Sequence, residues 1–82
     1  RELDPKAPGK DPKTALQELL QARRVALPKY SVAATQGEKH KQSFEVECLI
    51  PELSVRTTGI GSSRRAAEQE AAERAFELLR RK

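Results

Sequence analysis

Apolar positions along this chain change their period twice, and the changes outline five elements. From Asp11 onward, Leu16, Leu19 and Leu20 recur at helical spacing, while Thr14, Gln17, Glu18 and Gln21 fall on the opposite side. Asp11-Pro12 has the form of an N-cap followed by proline at the first helical position. The helix is predicted to run to about Arg23 or Arg24, where cations suit a helix C-terminus, and Pro28 closes the connection. The period then falls to two. Tyr30, Val32 and Ala34 alternate with Lys29, Ser31 and Ala33, and more strongly Phe44, Val46, Cys48 and Ile50 alternate with Ser43, Glu45, Glu47 and Leu49. Between these two predicted strands, Thr35 to Gln42 is polar and hinges on Gly37. Pro51-Glu52 turns the chain, and Leu53 to Thr58 supplies a weaker third strand ending at Gly59. Helical spacing returns near Ser62 or Ser63 and continues to Arg80. Its apolar arc is Ala67, Ala71, Ala72, Ala75, Phe76, Leu78 and Leu79, and the alanines allow a close approach to a sheet.

The element order α-β-β-β-α predicts an α+β domain of two layers. An antiparallel three-stranded sheet carries both helices on one face, so that each amphipathic element buries its apolar side. At 82 residues the chain has core for one domain, residues 11–82. Residues 1–10 mix charge with Pro5, Pro8 and Gly9 and have almost nothing to bury, so they read as a flexible interdomain linker.

Composition narrows the chemistry only a little. Charged residues make up 34% of the chain and the formal net charge is +4, which permits polyanion binding without demanding it. The placement of the cations says more. Lys39, Lys41, Arg64 and Arg65 lie in a loop or at a helix start, where they can reach a backbone of phosphates. Cys48 is the only cysteine and His40 the only histidine, so neither an internal disulfide nor a zinc or other metal site is expected. No apolar run approaches the roughly 20 residues of a membrane span, and no signal peptide pattern opens the sequence. A soluble, reduced, cytoplasmic domain is expected, and a chain opening on Arg1 fits a piece of something longer.

One segment carries most of the functional signal. Gly59-Ile-Gly-Ser-Ser-Arg-Arg-Ala-Ala-Glu-Gln-Glu-Ala-Ala-Glu-Arg-Ala75 joins two glycines, two serines and two arginines to the start of the second helix. Glycines permit positive φ and close backbone approach to a ligand. A serine cap leaves helix N–H groups and the positive dipole end to attract an anion, and Arg64 and Arg65 add charge beside them. Together these residues make a candidate site for nucleic-acid phosphates.

That signature, with the α-β-β-β-α order, resembles the double-stranded RNA-binding domain over residues 11–82. Asp11-Pro-Lys-Thr-Ala-Leu-Gln-Glu-Leu-Leu-Gln21, Gly37-Glu-Lys-His-Lys-Gln-Ser-Phe44 and Ser62-Ser-Arg-Arg-Ala-Ala-Glu-Gln69 together resemble the C-terminal domain of the bacterial ribonuclease III family. The resemblance implies three RNA-contacting regions. In the first, Thr14, Gln17, Glu18 and Gln21 hydrogen-bond the 2′-hydroxyls of a wide, shallow minor groove. In the second, Lys39 and His40 reach another minor groove; Glu38 stands where the family often has proline, which implies a looser loop. In the third, Ser62, Ser63, Arg64 and Arg65 hold phosphates across the major groove. Glu68 stands where the wider family has a third basic residue, which implies weaker contact there.

The same resemblance implies a module that binds about 16 base pairs of duplex RNA by shape and does not itself cleave. The catalytic cluster, its magnesium and the homodimer interface would belong to a separate nuclease domain, and the parent enzyme would process ribosomal and messenger RNA. No cofactor is implied for residues 1–82. The alternative is a protein-interaction or dimerisation module with the same fold.

Overall fold

The computed structural model describes residues 11–38 and 40–80, and the expected linker at residues 1–10 lies outside them. The elements follow the predicted order: helix α1 (Pro12–Ala22), strands β1 (Lys29–Gln36) and β2 (Ser43–Ile50), a single 3₁₀ turn (Pro51–Leu53), strand β3 (Val55–Gly61) and helix α2 (Arg64–Arg80). The sheet is antiparallel in the order β1-β2-β3, and both helices pack on it from the same side.

Helix α1 starts as its sequence requires. Asp11 Oδ1 accepts the Thr14 N–H at 2.9 Å, and Pro12 occupies the first helical position, where no N–H is needed. The helix buries Leu16 and Leu20 completely and leaves Thr14, Gln17, Glu18 and Gln21 exposed. It ends at Ala22. Arg24 adopts the left-handed conformation (φ 60°), and the Val25 N–H returns to the Leu20 carbonyl at 2.8 Å.

Two strands depart from simple alternation. In β1, Tyr30 and Val32 face Cys48 and Val46, but a bulge between Val32 and Ala34 shifts the register. Ala34 therefore pairs with Glu45 and falls on the opposite face from Val32. The third strand is also displaced from its expected limits. Leu53 belongs to the 3₁₀ turn, Ser54 takes a left-handed conformation (φ 55°), and pairing runs on through Gly59 and Gly61.

Gly59 and Gly61 are thus strand residues. Neither has positive φ; among described glycines only Gly37 does, at +93°, where the β1–β2 loop turns. What Gly59 and Gly61 supply is room. A side-chain carbon on Gly59 would run into the backbone of Ala67 and Ala71, and one on Gly61 would lie 2.6 Å from the Ala67 nitrogen. Helix α2 crosses directly over β3, and the contact is sealed by the buried Thr57 hydroxyl, which donates to the Ala71 carbonyl at 2.7 Å. Alanines 67, 71, 72 and 75 are fully buried in α2, and small residues on both sides are what permit so close a crossing. Leu78, assigned to the buried arc by its spacing, is 41% exposed, while Leu79 completes the core with Leu16, Leu20, Cys48, Ile50 and Val55.

The outer edge of β3 is covered by side chains of α2. Glu70 accepts the Ile60 N–H at 2.6 Å, and Arg74 donates to the Thr58 carbonyl at 3.2 Å. These outward backbone groups would otherwise invite another strand to pair.

Candidate nucleic-acid interface

The two helices lie side by side in the same direction. Lys13 meets Glu68 and Gln69 near their starts, and Arg23 Nη2 reaches the Leu79 carbonyl at 3.3 Å near their ends. Both N-termini, with their positive dipole ends, therefore share one end of the layer. Their caps differ. The α1 end is occupied by the Asp11 carboxylate, whereas the α2 end is capped by neutral Ser63, whose Oγ accepts the Ala66 N–H at 3.1 Å. Helix geometry leaves the Arg64 and Arg65 N–H groups without intrahelical acceptors, so this end retains its capacity for an outside anion.

Between the two helix starts lies a shallow cleft lined by Asp11, Lys13, Thr14, Gln17, Arg64, Arg65, Glu68 and Gln69. It brings together Thr14 and Gln17 of the first expected region with Arg64 and Arg65 of the third. Both arginines are exposed. Glu18 and Gln21 lie further along the exposed side of α1, outside the cleft lining, and Ser62 and Ser63 are exposed where β3 passes into α2. His40 is exposed in the β1–β2 turn, which the Lys41 N–H closes onto the Glu38 carbonyl at 2.9 Å. Lys39 lies outside the described residues. The register pairs Gln36 with Ser43 and Phe44 with Gly61, so this turn and the start of α2 occupy the same end of the sheet.

Carboxylates within the cleft are held ionised by their donors. The Thr14 backbone N–H, aided by the Gln69 side chain, lowers the pKa of Asp11 to about 2. Glu68, expected to oppose phosphate approach, is not a bare charge. Its Oε1 accepts Lys13 Nζ at 2.7 Å and its Oε2 accepts Arg64 Nε at 3.2 Å, and chiefly the Lys13 hydrogen bond lowers its pKa. Lys13 also stands 4.8 Å from the centre of the Tyr30 ring.

Lys13 is the cleft residue that the sequence reading passed over. The signal was present: Lys13 continues the Leu16–Leu20 stripe toward the N-terminus, and Glu68 continues the Ala71–Ala72–Ala75 stripe. A lysine and a glutamate on two core-facing stripes are suited to pair where the stripes meet. The Tyr30 ring packs against Lys13 and against the core. Its hydroxyl is buried beside the Cys48 thiol without a well-formed hydrogen bond, and burial raises the pKa of both groups. Among the described residues no cluster of three or more metal-ligating side chains forms, and no helix is long and apolar enough to cross a membrane.

This fold and this clustering of cations at a helix start define a class of RNA-binding domain. The model of the double-stranded RNA binding motif matches residues 12–79, and the chain belongs to that family. Among curated relatives, ribonuclease 3 of Nitrosomonas eutropha is 61% identical over 77 residues, covering 94% of this chain and 31% of that protein. Ribonuclease 3 of Thiobacillus denitrificans is 59% identical over 80 residues, covering 98% and 35%. The chain thus spans about a third of the length of the curated relatives it matches. Among solved structures, Arabidopsis HYL1, described for its implications for miRNA processing, superposes with a TM-score of 0.71 at 34% identity. That match covers 84% of this chain and 96% of the other. The structure of both double-stranded RNA-binding domains of DRB4 superposes with a TM-score of 0.67 at 27% identity, covering 95% and 52%.

Proposed function

We propose that this domain holds A-form RNA against the α1–α2 cleft and the β1–β2 turn, and delivers it to the nuclease domain of a ribonuclease III. The observation that carries the reading is the shared end of the two parallel helices, which sets Thr14 and Gln17 beside Arg64 and Arg65. Hydrogen-bonding groups on α1 suit the 2′-hydroxyls of a minor groove, and the cations and free N–H groups of α2 suit the neighbouring phosphates. Glu18 and Gln21 extend the α1 contact. His40 and Lys39 serve a second minor groove, and Ser62 and Ser63 serve the α2 phosphates.

On this reading the domain itself cuts nothing. The parent enzyme is a homodimeric, magnesium-dependent endonuclease of the cytoplasm that processes ribosomal and messenger RNA, with residues 1–10 as the tether. Its name rests on relatives of which this chain spans about a third. The competing reading, a protein-interaction or dimerisation module that uses the same surfaces, ranks second because Gln17, Glu18, His40, Arg64 and Arg65 keep RNA-suited side chains exposed.

Backbone amide shifts recorded during titration with duplex RNA test the proposed surface. The residues expected to move are Thr14, Gln17, Glu18, Gln21, His40 and Ser62 through Arg65. Shifts confined to the open face of the sheet, around Glu45, Glu47 and Arg56, would sink the assignment.

A further inference from the structure

The cleft contains a cation, Lys13, to which none of the three expected RNA-contacting regions assigns a role. Glu68 occupies the α2 position where a third basic residue would complete the phosphate-binding cluster. Its carboxylate draws a cation into the same place from the other helix: Lys13 Nζ sits on Oε1 at 2.7 Å while Arg64 Nε sits on Oε2 at 3.2 Å. The glutamate side chain is only 14% exposed, whereas that of Lys13 is 37% exposed and lines the cleft with Arg64 and Arg65. Lys13 is also fixed on two further sides. Its backbone N–H donates to Gln69 Oε1 at 3.1 Å, and its ammonium stands over the Tyr30 ring at 4.8 Å.

We propose that Lys13 is a phosphate ligand for duplex RNA, supplied by α1 in place of the cation that α2 lacks, and that Glu68 is its positioning residue. This rests on the reading of the cleft as the RNA-binding surface. A lysine ammonium has three donors, and the ion pair with Glu68 uses one, so the others remain for a phosphate. Holding the long side chain beforehand removes much of the rotamer freedom that a solvated lysine would lose on binding. Each carboxylate oxygen of Glu68 serves a cation from a different helix. The same group therefore locks Lys13 and Arg64 into one spacing and links the groove-reading helix to the phosphate-holding one.

The test is the salt dependence of duplex-RNA affinity for the wild type, Lys13→Met, Lys29→Met and Arg64→Ala/Arg65→Ala. Methionine keeps the stem over Tyr30 and removes only the charge, and Lys29 is an exposed lysine of β1 outside the cleft. Loss of one cation–phosphate contact lowers the slope of log affinity against log salt by about one and weakens binding roughly three- to ten-fold at moderate salt. Lys13→Met is expected to show this loss, with Lys29→Met matching the wild type. An unchanged slope in Lys13→Met overturns the proposal, provided that Arg64→Ala/Arg65→Ala lowers it; if the arginine variant also binds normally, the cleft reading itself fails. Lysine acylation of the wild type read by mass spectrometry gives a measurement free of any folding defect. RNA should protect Lys13 and leave Lys29 reactive, and equal acylation of Lys13 with and without RNA would also overturn the assignment.

Discussion

Gly59→Ala separates two roles that a glycine beside a phosphate-binding helix can have. If Gly59 serves to bring backbone close to RNA, alanine should leave the fold intact and weaken binding. The structure assigns it to packing. The added carbon would run into the backbone of Ala67 and Ala71 and lie 2.9 Å from the Glu70 carbonyl carbon, none of which can swing aside as a side-chain tip would. Relief requires α2 to lift from β3, which also stretches the Thr57 hydroxyl bond to Ala71 and loosens the alanine layer. Overpacking of this kind costs about 1–3 kcal/mol, and the purely backbone contacts place Gly59 at the upper end. Against a total of about 4–12 kcal/mol for a domain of this size, about 3 kcal/mol is a large fraction. It corresponds to a fall in Tm of roughly 12–24 °C. Thermal and urea unfolding of Gly59→Ala, with Gly61→Ala as companion, would measure it. The reasoning is refuted if Gly59→Ala melts within a degree or two of the wild type while its affinity for duplex RNA collapses.

Other consequences follow from single contacts. Because the Asp11 pKa is lowered to about 2 from an ordinary value of 3.8, its contribution to stability is complete above pH 4 and is lost as pH falls through 2. Asp11→Asn, which keeps a capping oxygen but cannot titrate, should flatten that part of the acid-unfolding curve, and an unchanged curve would count against the cap. Tyr30→Phe removes a buried hydroxyl with no well-formed partner, so unfolding should show equal or slightly greater stability, by up to about 1 kcal/mol; a loss of 2 kcal/mol or more would reveal a bond the hydroxyl does make. Glu70→Ala/Arg74→Ala exposes the Ile60 N–H and the Thr58 carbonyl, and sedimentation should detect self-association at high protein concentration. A strictly monomeric double variant would show that the edge needs no cover.

What the sequence made legible depended on how local the governing interaction is. The caps were local: Asp11-Pro12 and the serine before Arg64 announced both helix starts. The period-two run from Phe44 to Ile50 placed β2 because the alternation lies within the strand itself, which pairs with β3 in unbroken register. The β1 bulge was hidden, since an extra residue in a weak alternation of valine and alanine leaves no mark until a partner strand fixes the register. Gly59 and Gly61 were misread for a related reason. Their requirement comes from α2 crossing above them, a tertiary contact, and a glycine near a serine cap reads equally well as a turn. The cleft was half legible. The residue types on α1 and α2 were visible separately, but the parallel packing that unites them, and the neutralisation of Glu68 by Lys13, exist only once the helices meet.

The most direct test is a titration of one duplex of about two helical turns, as RNA and as DNA of the same sequence, into the wild type and Arg64→Ala/Arg65→Ala. The account predicts that RNA binds in clear preference to DNA, that affinity falls steeply with salt, and that both the affinity and the slope drop in the double variant while its Tm holds. Equal binding of RNA and DNA, or RNA binding untouched by loss of both arginines, would contradict it.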